Sequence, residues 1–86
     1  MQTEPGRCYV CHRWCQTEVH HLLNGHGLRK KCTEDRLLIN VCPECHRLIH
    51  SDAKLRLMLK QEAQEVFEHE IGIREQFIQR YGKSYL

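Results

Sequence analysis

The sequence lacks a long apolar run, is poor in aromatic residues and carries little net charge. No stretch reaches the roughly 18 apolar residues that a transmembrane helix requires. Its first 20 residues contain four charged side chains and no apolar segment, so we expect neither a membrane span nor a secretory signal. Thirteen Lys and Arg against 11 Asp and Glu give a formal charge of +2, which is not the profile of a strongly basic nucleic-acid coat.

Material for a hydrophobic core is also scarce. Only 41% of the 86 residues are apolar and 7% are aromatic, and chains of this size usually need disulfides, a metal or a partner subunit for stability. Six Cys and seven His indicate a metal. We expect a cytoplasmic protein, because thiols stay reduced there and ligate metals instead of forming disulfides.

We interpret the chain as a single domain, residues 1–86, of the α+β class. All six Cys and six of the seven His fall in residues 1–50. The residue pattern there predicts a short strand over 17–23, a turn at 24–27, a polar loop over 29–35 and a second strand over 37–41. A helix over about 43–50 should begin at Pro43, since the first turn of a helix tolerates proline.

Residues 51–86 form a helical extension. Ser51 or Asp52 can cap a helix that runs to about Glu70, and Gly72 should end it. A second helix is expected over 73–81, with Gly82 just beyond its end. We expect the apolar faces of these helices to cover the first half of the chain; the alternative is a homodimer interface.

Two paired cysteine motifs are the strongest chemical signal. They are Cys8-x-x-Cys11 and Cys42-x-x-Cys45, the ligand spacing of a closed tetrahedral zinc site. Such a zinc ion would join the N-terminal loop to the start of the first predicted helix and would replace part of the missing core.

A second cluster consists of histidines. His46 and His50 are four residues apart, so both project from one face of the predicted helix and can bind one cation. The dipeptide His20-His21 lies on the first predicted strand and can complete the set. Neighbouring residues of a regular strand point to opposite faces, so both can reach one site only at a strand end or an irregularity.

In order and spacing these features resemble the HNH endonuclease family. The resemblance covers about residues 8–50 and is carried by Glu-Val-His-His at 18–21 and Cys-Pro-Glu-Cys-His-Arg-Leu-Ile-His at 42–50. It implies a zinc-stabilised ββα-metal finger, a β-hairpin plus a short helix, followed here by two C-terminal helices. The last ten residues are similar to small HNH-type proteins of bacteriophages, which would place the protein in the host cytoplasm.

Carried over by position, the resemblance assigns His21 as the general base and His20 and His46 as ligands of the catalytic metal. His50 matches an extra histidine ligand of the colicin-type branch. The sequence departs from the family at Leu37, which occupies the position of the family's middle Asn.

The chemistry these residues suit is metal-dependent hydrolysis of DNA phosphodiester bonds, as an endonuclease or a nickase. A neutral imidazole is a suitable base near pH 7, and one divalent cation can stabilise charge on the phosphate. Three imidazoles favour Mn²⁺, Ni²⁺, Co²⁺ or Zn²⁺ over Mg²⁺. The expected phosphate contacts are basic side chains near the site: Arg29, Lys30, Lys31 and Arg47. Two non-catalytic alternatives stay open, a zinc-stabilised nucleic-acid-binding module and a protein-interaction adaptor.

Overall fold

A computed structural model describes residue 1 and residues 3–86. Within them the chain forms two strands and four helices: β1 (Glu18–His21), α1 (Leu28–Asp35), β2 (Leu38–Val41), α2 (Pro43–Ser51), α3 (Ala53–Glu70) and α4 (Arg74–Tyr81). The α+β class is confirmed, with an antiparallel strand pair and the expected helices after residue 42. None of the helices in the described part of the chain combines the length and apolar character that crossing a membrane demands.

The two strands place the histidine dipeptide opposite two apolar residues of β2. In the antiparallel register His20 lies opposite Ile39 and His21 opposite Leu38. The pairing continues past the strand end, because the Leu22 N–H donates to the carbonyl of Leu37 (3.1 Å). His21 is the last residue of β1, and a strand end is one of the two places where neighbouring histidines can both reach one site.

The segment between the strands differs from the sequence prediction. Residues 29–35, expected to be a loop, are part of α1. The helix begins after Gly27, whose φ of 78° is left-handed, and ends at Arg36, whose φ is 59°. Half of its residues are exposed and only Cys32 is fully buried. A helix with so small an apolar face leaves no hydrophobic periodicity in the sequence.

Helix α2 begins at the second cysteine pair. Cys42 caps the helix through its sulfur, which accepts from the Cys45 N–H (3.3 Å), and Pro43 occupies the first turn. The helix packs against β1 and is followed at once by α3. Asp52 caps α3, because its carboxylate accepts from the Leu55 N–H (3.0 Å).

The C-terminal helices supply most of the aromatic core. Phe67 of α3 meets Phe77 and Tyr81 of α4 edge to face, with ring centroids 5.3 and 6.1 Å apart. All three rings are buried in the same cluster as the strand residues Ile39 and Val41. The apolar faces of α3 and α4 thus cover the first half of the chain.

Candidate functional site

Four cysteine sulfurs converge between the N-terminal loop and the start of α2. The sulfurs of Cys8, Cys11, Cys42 and Cys45 all lie within 4.8 Å of one another, so the cluster can hold a metal ion such as zinc. Sulfurs bound to zinc at about 2.3 Å in a tetrahedron lie about 3.8 Å apart, close to the 3.9 Å between the sulfurs of Cys11 and Cys42. All six cysteines belong to the described residues, and none of them is in a disulfide.

The surroundings of the four clustered thiols shift the pKa of Cys8 and that of Cys45 in opposite directions. Burial raises the pKa of Cys8, but hydrogen bonds with the backbone of Cys11, Cys42 and Val10 outweigh it and lower that pKa to about 6. Burial and hydrogen bonds with the neighbouring thiols raise the pKa of Cys45. Four thiolates so close together repel one another, and a divalent cation removes that repulsion.

Three histidines meet between β1 and α2. The ring centroids of His20 and His46 are 5.4 Å apart, those of His20 and His50 5.8 Å, and those of His46 and His50 5.1 Å. One nitrogen of each ring lies within 4.8 Å of the others, so this group too can hold a metal ion. The strand and the helix bring together the three residues that the sequence analysis named as ligands of a second metal.

The three rings differ in exposure. His20 is only 6% exposed, His46 is half-buried and His50 is exposed. Burial, together with the neighbouring His46 and His50, lowers the pKa of His20 to about 4. His20 is therefore neutral near pH 7, the form in which imidazole binds metals.

Glu18 orients one of these rings and was not named as a site residue. Its carboxylate accepts a hydrogen bond from Nδ1 of His46 (2.8 Å), which leaves Nε2 of His46 as the free nitrogen for a metal. When a carboxylate accepts a hydrogen bond from the ring nitrogen that does not bind the metal, it fixes the tautomer of the histidine and makes the ring a better ligand. Glu18 and His20 are two residues apart on a strand and share one face, but this spacing does not indicate that His46 of α2 packs against Glu18.

Replacing Glu18 by Ala should therefore weaken metal binding at the histidine cluster. We expect the affinity for Ni²⁺ to fall by about 10-fold to 100-fold, as is usual when such a partner of a ligating histidine is lost. Calorimetric titration of the zinc-loaded protein with Ni²⁺ measures the change. Glu75→Ala, on the exposed side of α4, is the matched control. Equal Ni²⁺ affinity in Glu18→Ala and the parent would show that this carboxylate has no such role.

His21 lies at the same cleft as the three clustered rings. The cleft, about 360 Å³, is lined by His20, His21, His46, His50 and Arg29, among others. Nε2 of His21 is 3.2 Å from Oγ1 of Thr33 on α1, a second residue that the sequence analysis did not name. Burial and the nearby guanidinium of Arg29 lower the pKa of His21, so the ring is neutral at pH 7.

The basic residues predicted to contact phosphate have different surroundings. Arg29 lines the cleft, and Lys30 and Arg47 are exposed. Lys31 instead donates a hydrogen bond from Nζ to the carbonyl of Arg80 (3.0 Å) and so ties α1 to α4. Arg29 is the basic residue best placed to meet a phosphate in the cleft.

Leu37, where the family has Asn, belongs to the core. Its side chain is completely buried. Asn40, the Asn nearest to it in the sequence, binds elsewhere: its side-chain Nδ2 donates to Oγ1 of Thr3 (2.8 Å), and its backbone carbonyl accepts from the Tyr9 N–H (2.8 Å). The asparagine thus holds the N-terminal segment on the outer side of β2.

Comparison with known proteins yields no relative. No protein-family model, no curated protein and no solved structure matches the chain. The function is therefore inferred from the residues of the two clusters and their geometry.

Proposed function

We propose that the protein is a metal-dependent endonuclease or nickase of the HNH type that hydrolyses DNA phosphodiester bonds. The observation that carries the proposal is the cleft in which His20, His46 and His50 cluster and His21 provides a fourth, separate imidazole. A site that served only to bind metal would not need this additional neutral ring. The HNH resemblance of residues 8–50, with β1, β2 and α2 as a ββα-metal finger, supports the same proposal.

Two metal sites with different tasks follow from the two donor sets. The four cysteine sulfurs suit a closed zinc site that stabilises the fold. A divalent cation held by His20, His46 and His50 would polarise the phosphate and stabilise charge on the leaving oxygen. Three nitrogen donors favour Mn²⁺, Co²⁺, Ni²⁺ or Zn²⁺ over Mg²⁺ in this second site.

His21 acts as the general base. Its neutral ring takes a proton from a water, and the resulting hydroxide oxygen forms a bond to phosphorus. The bond between phosphorus and the 3′-oxygen breaks, and that oxygen receives a proton from solvent. The protonated ring then returns its proton to solvent. The products are a 3′-hydroxyl and a 5′-phosphate.

Arg29 binds and orients the substrate. Arg29 lines the cleft together with His21, and its guanidinium can bind a phosphate oxygen there through paired N–H donors. Lys30 and Arg47, both exposed, extend the positive charge along the DNA backbone. Because these contacts are with phosphates, binding should weaken steeply as salt increases.

Incubation of supercoiled plasmid with the zinc-loaded protein tests the proposal. We expect relaxed or linear plasmid only when Mn²⁺, Co²⁺, Ni²⁺, Mg²⁺ or additional Zn²⁺ is present, with the chelated reaction as control. His50→Ala, which removes one of the three clustered rings, should lose most of the activity. If no metal supports cleavage by the parent protein, the endonuclease proposal fails.

One observation favours a second candidate, a nucleic-acid-binding module without catalysis. Trp14 is 67% exposed beside the first cysteine pair, and the guanidinium of Arg7 lies 5.5 Å from its ring centroid. An exposed indole with a basic neighbour can stack on an unpaired base. Retardation of DNA in a gel without cleavage under any metal would favour this candidate over the nuclease.

A further inference from the structure

The hydrogen bonds around His21 bear on which of its two ring nitrogens can accept a proton. Among residues 1 and 3–86, the ring makes one hydrogen bond, between Nε2 and Oγ1 of Thr33 (3.2 Å). The Thr33 hydroxyl also lies 3.1 Å from the carbonyl of Arg29, one helical turn earlier. A hydroxyl has a single proton to donate and two lone pairs with which to accept.

The geometry assigns that proton to the Arg29 carbonyl. A threonine within a helix commonly donates to the carbonyl four residues before it. Once its proton is used there, Oγ1 can only accept from His21, and Nε2 must therefore carry the ring proton. In this arrangement both contacts of the hydroxyl are satisfied, and Nδ1 keeps a free lone pair.

We propose that Thr33 is a positioning residue that holds His21 in its Nε2–H tautomer, so that Nδ1 is the nitrogen that accepts the proton from water. The inference depends on the proposed role of His21 as base. It adds Thr33 as the residue that orients the ring and Nδ1 as the atom that accepts the proton. Helix α1 then contributes to the site, because it places Thr33 beside His21 at the end of β1. A neutral ring with its proton on Nδ1 would have no lone pair there for water.

Thr33→Val and Thr33→Ser test the proposal together. Thr33 is exposed on α1, so neither change should affect folding. Valine removes the hydroxyl and keeps the shape, whereas serine restores the hydroxyl. We expect Thr33→Val to lower kcat by about 10-fold to 100-fold, by analogy with the loss of a hydrogen-bond partner of a metal-ligating histidine, with KM unchanged, and Thr33→Ser to retain the parent rate.

Nuclear magnetic resonance of nitrogen-15-labelled, zinc-loaded protein provides a readout that does not depend on activity. Two-bond proton–nitrogen correlations at about pH 8, above the ordinary histidine pKa of about 6.5, distinguish the two neutral tautomers. We expect His21 to be protonated at Nε2 in the parent and in Thr33→Ser, and to become a mixture in Thr33→Val. Ser51→Ala is the control, because the Ser51 hydroxyl also donates to a helix carbonyl, that of Leu48 (3.1 Å).

The outcomes separate this inference from the proposed function. A parent spectrum with the proton on Nδ1, or a Thr33→Val protein that cleaves at the parent rate, would overturn the role of Thr33 and leave the endonuclease in place. A parent that cleaves no DNA with any metal would overturn the endonuclease and the base role with it, while the spectrum still decides whether Thr33 sets the tautomer.

Discussion

Replacing Cys8 by Ser is expected to cost the protein its structural zinc and most of its folded population. Cys8 is completely buried, and its sulfur is one of four that lie within 4.8 Å of one another. Structural zinc contributes about 10–16 kcal/mol in zinc-finger peptides, whereas a whole domain is stable by only about 5–15 kcal/mol. Loss of one ligand therefore removes a contribution comparable with the total stability.

Metal analysis after dialysis and thermal unfolding followed by circular dichroism measure this effect. The parent should retain close to one zinc per chain, and Cys8→Ser should retain far less and lose its unfolding transition. Cys15→Ser is the matched control, since Cys15 is near the same loop but outside the four-sulfur cluster. A parent chain that keeps its fold in the presence of a strong chelator would contradict the zinc assignment.

The helices after residue 42 could be predicted because their burial is periodic. Leu59, Ala63 and Phe67 recur every four residues on α3, and all three are buried. Helix α1 could not be found in this way, because Cys32 is its one fully buried residue. The helix-forming preference of its Lys, Arg and Glu residues was the remaining signal, and it is weaker than periodicity.

The ligand clusters were easier to predict than the residues that support them. Spacing along the chain identifies cysteines and histidines that can share an ion, because the members of each pair are close in sequence. Two residues separate the cysteines of each Cys-x-x-Cys pair, and one helical turn separates His46 from His50. The contact between His21 and Thr33 instead joins β1 to α1, so predicting it required the helix that the sequence analysis missed. The hydrogen bond between Glu18 and His46 depends on how α2 packs on β1, which spacing alone does not specify.

His21→Ala is expected to abolish cleavage and to leave both metal clusters intact. A positioned general base contributes about 10²-fold to 10⁴-fold to the rate, so nicking of supercoiled plasmid should fall by that factor. The ring of His21 is outside the group of three clustered histidines, and its nitrogen bonds to Thr33. Binding of Ni²⁺ and the zinc content should therefore match those of the parent.

Comparison with two other histidine variants distinguishes the loss of the general base from the loss of a metal ligand. His46→Ala should lose both Ni²⁺ affinity and cleavage, because its ring belongs to the cluster and is oriented by Glu18. His69→Ala removes an exposed imidazole of α3 and should cleave like the parent. The diagnostic result for His21→Ala is lost cleavage with retained Ni²⁺ binding. If that variant nicks plasmid as fast as the parent under the same metal, His21 is not the base, and the water must be activated by another group in the cleft.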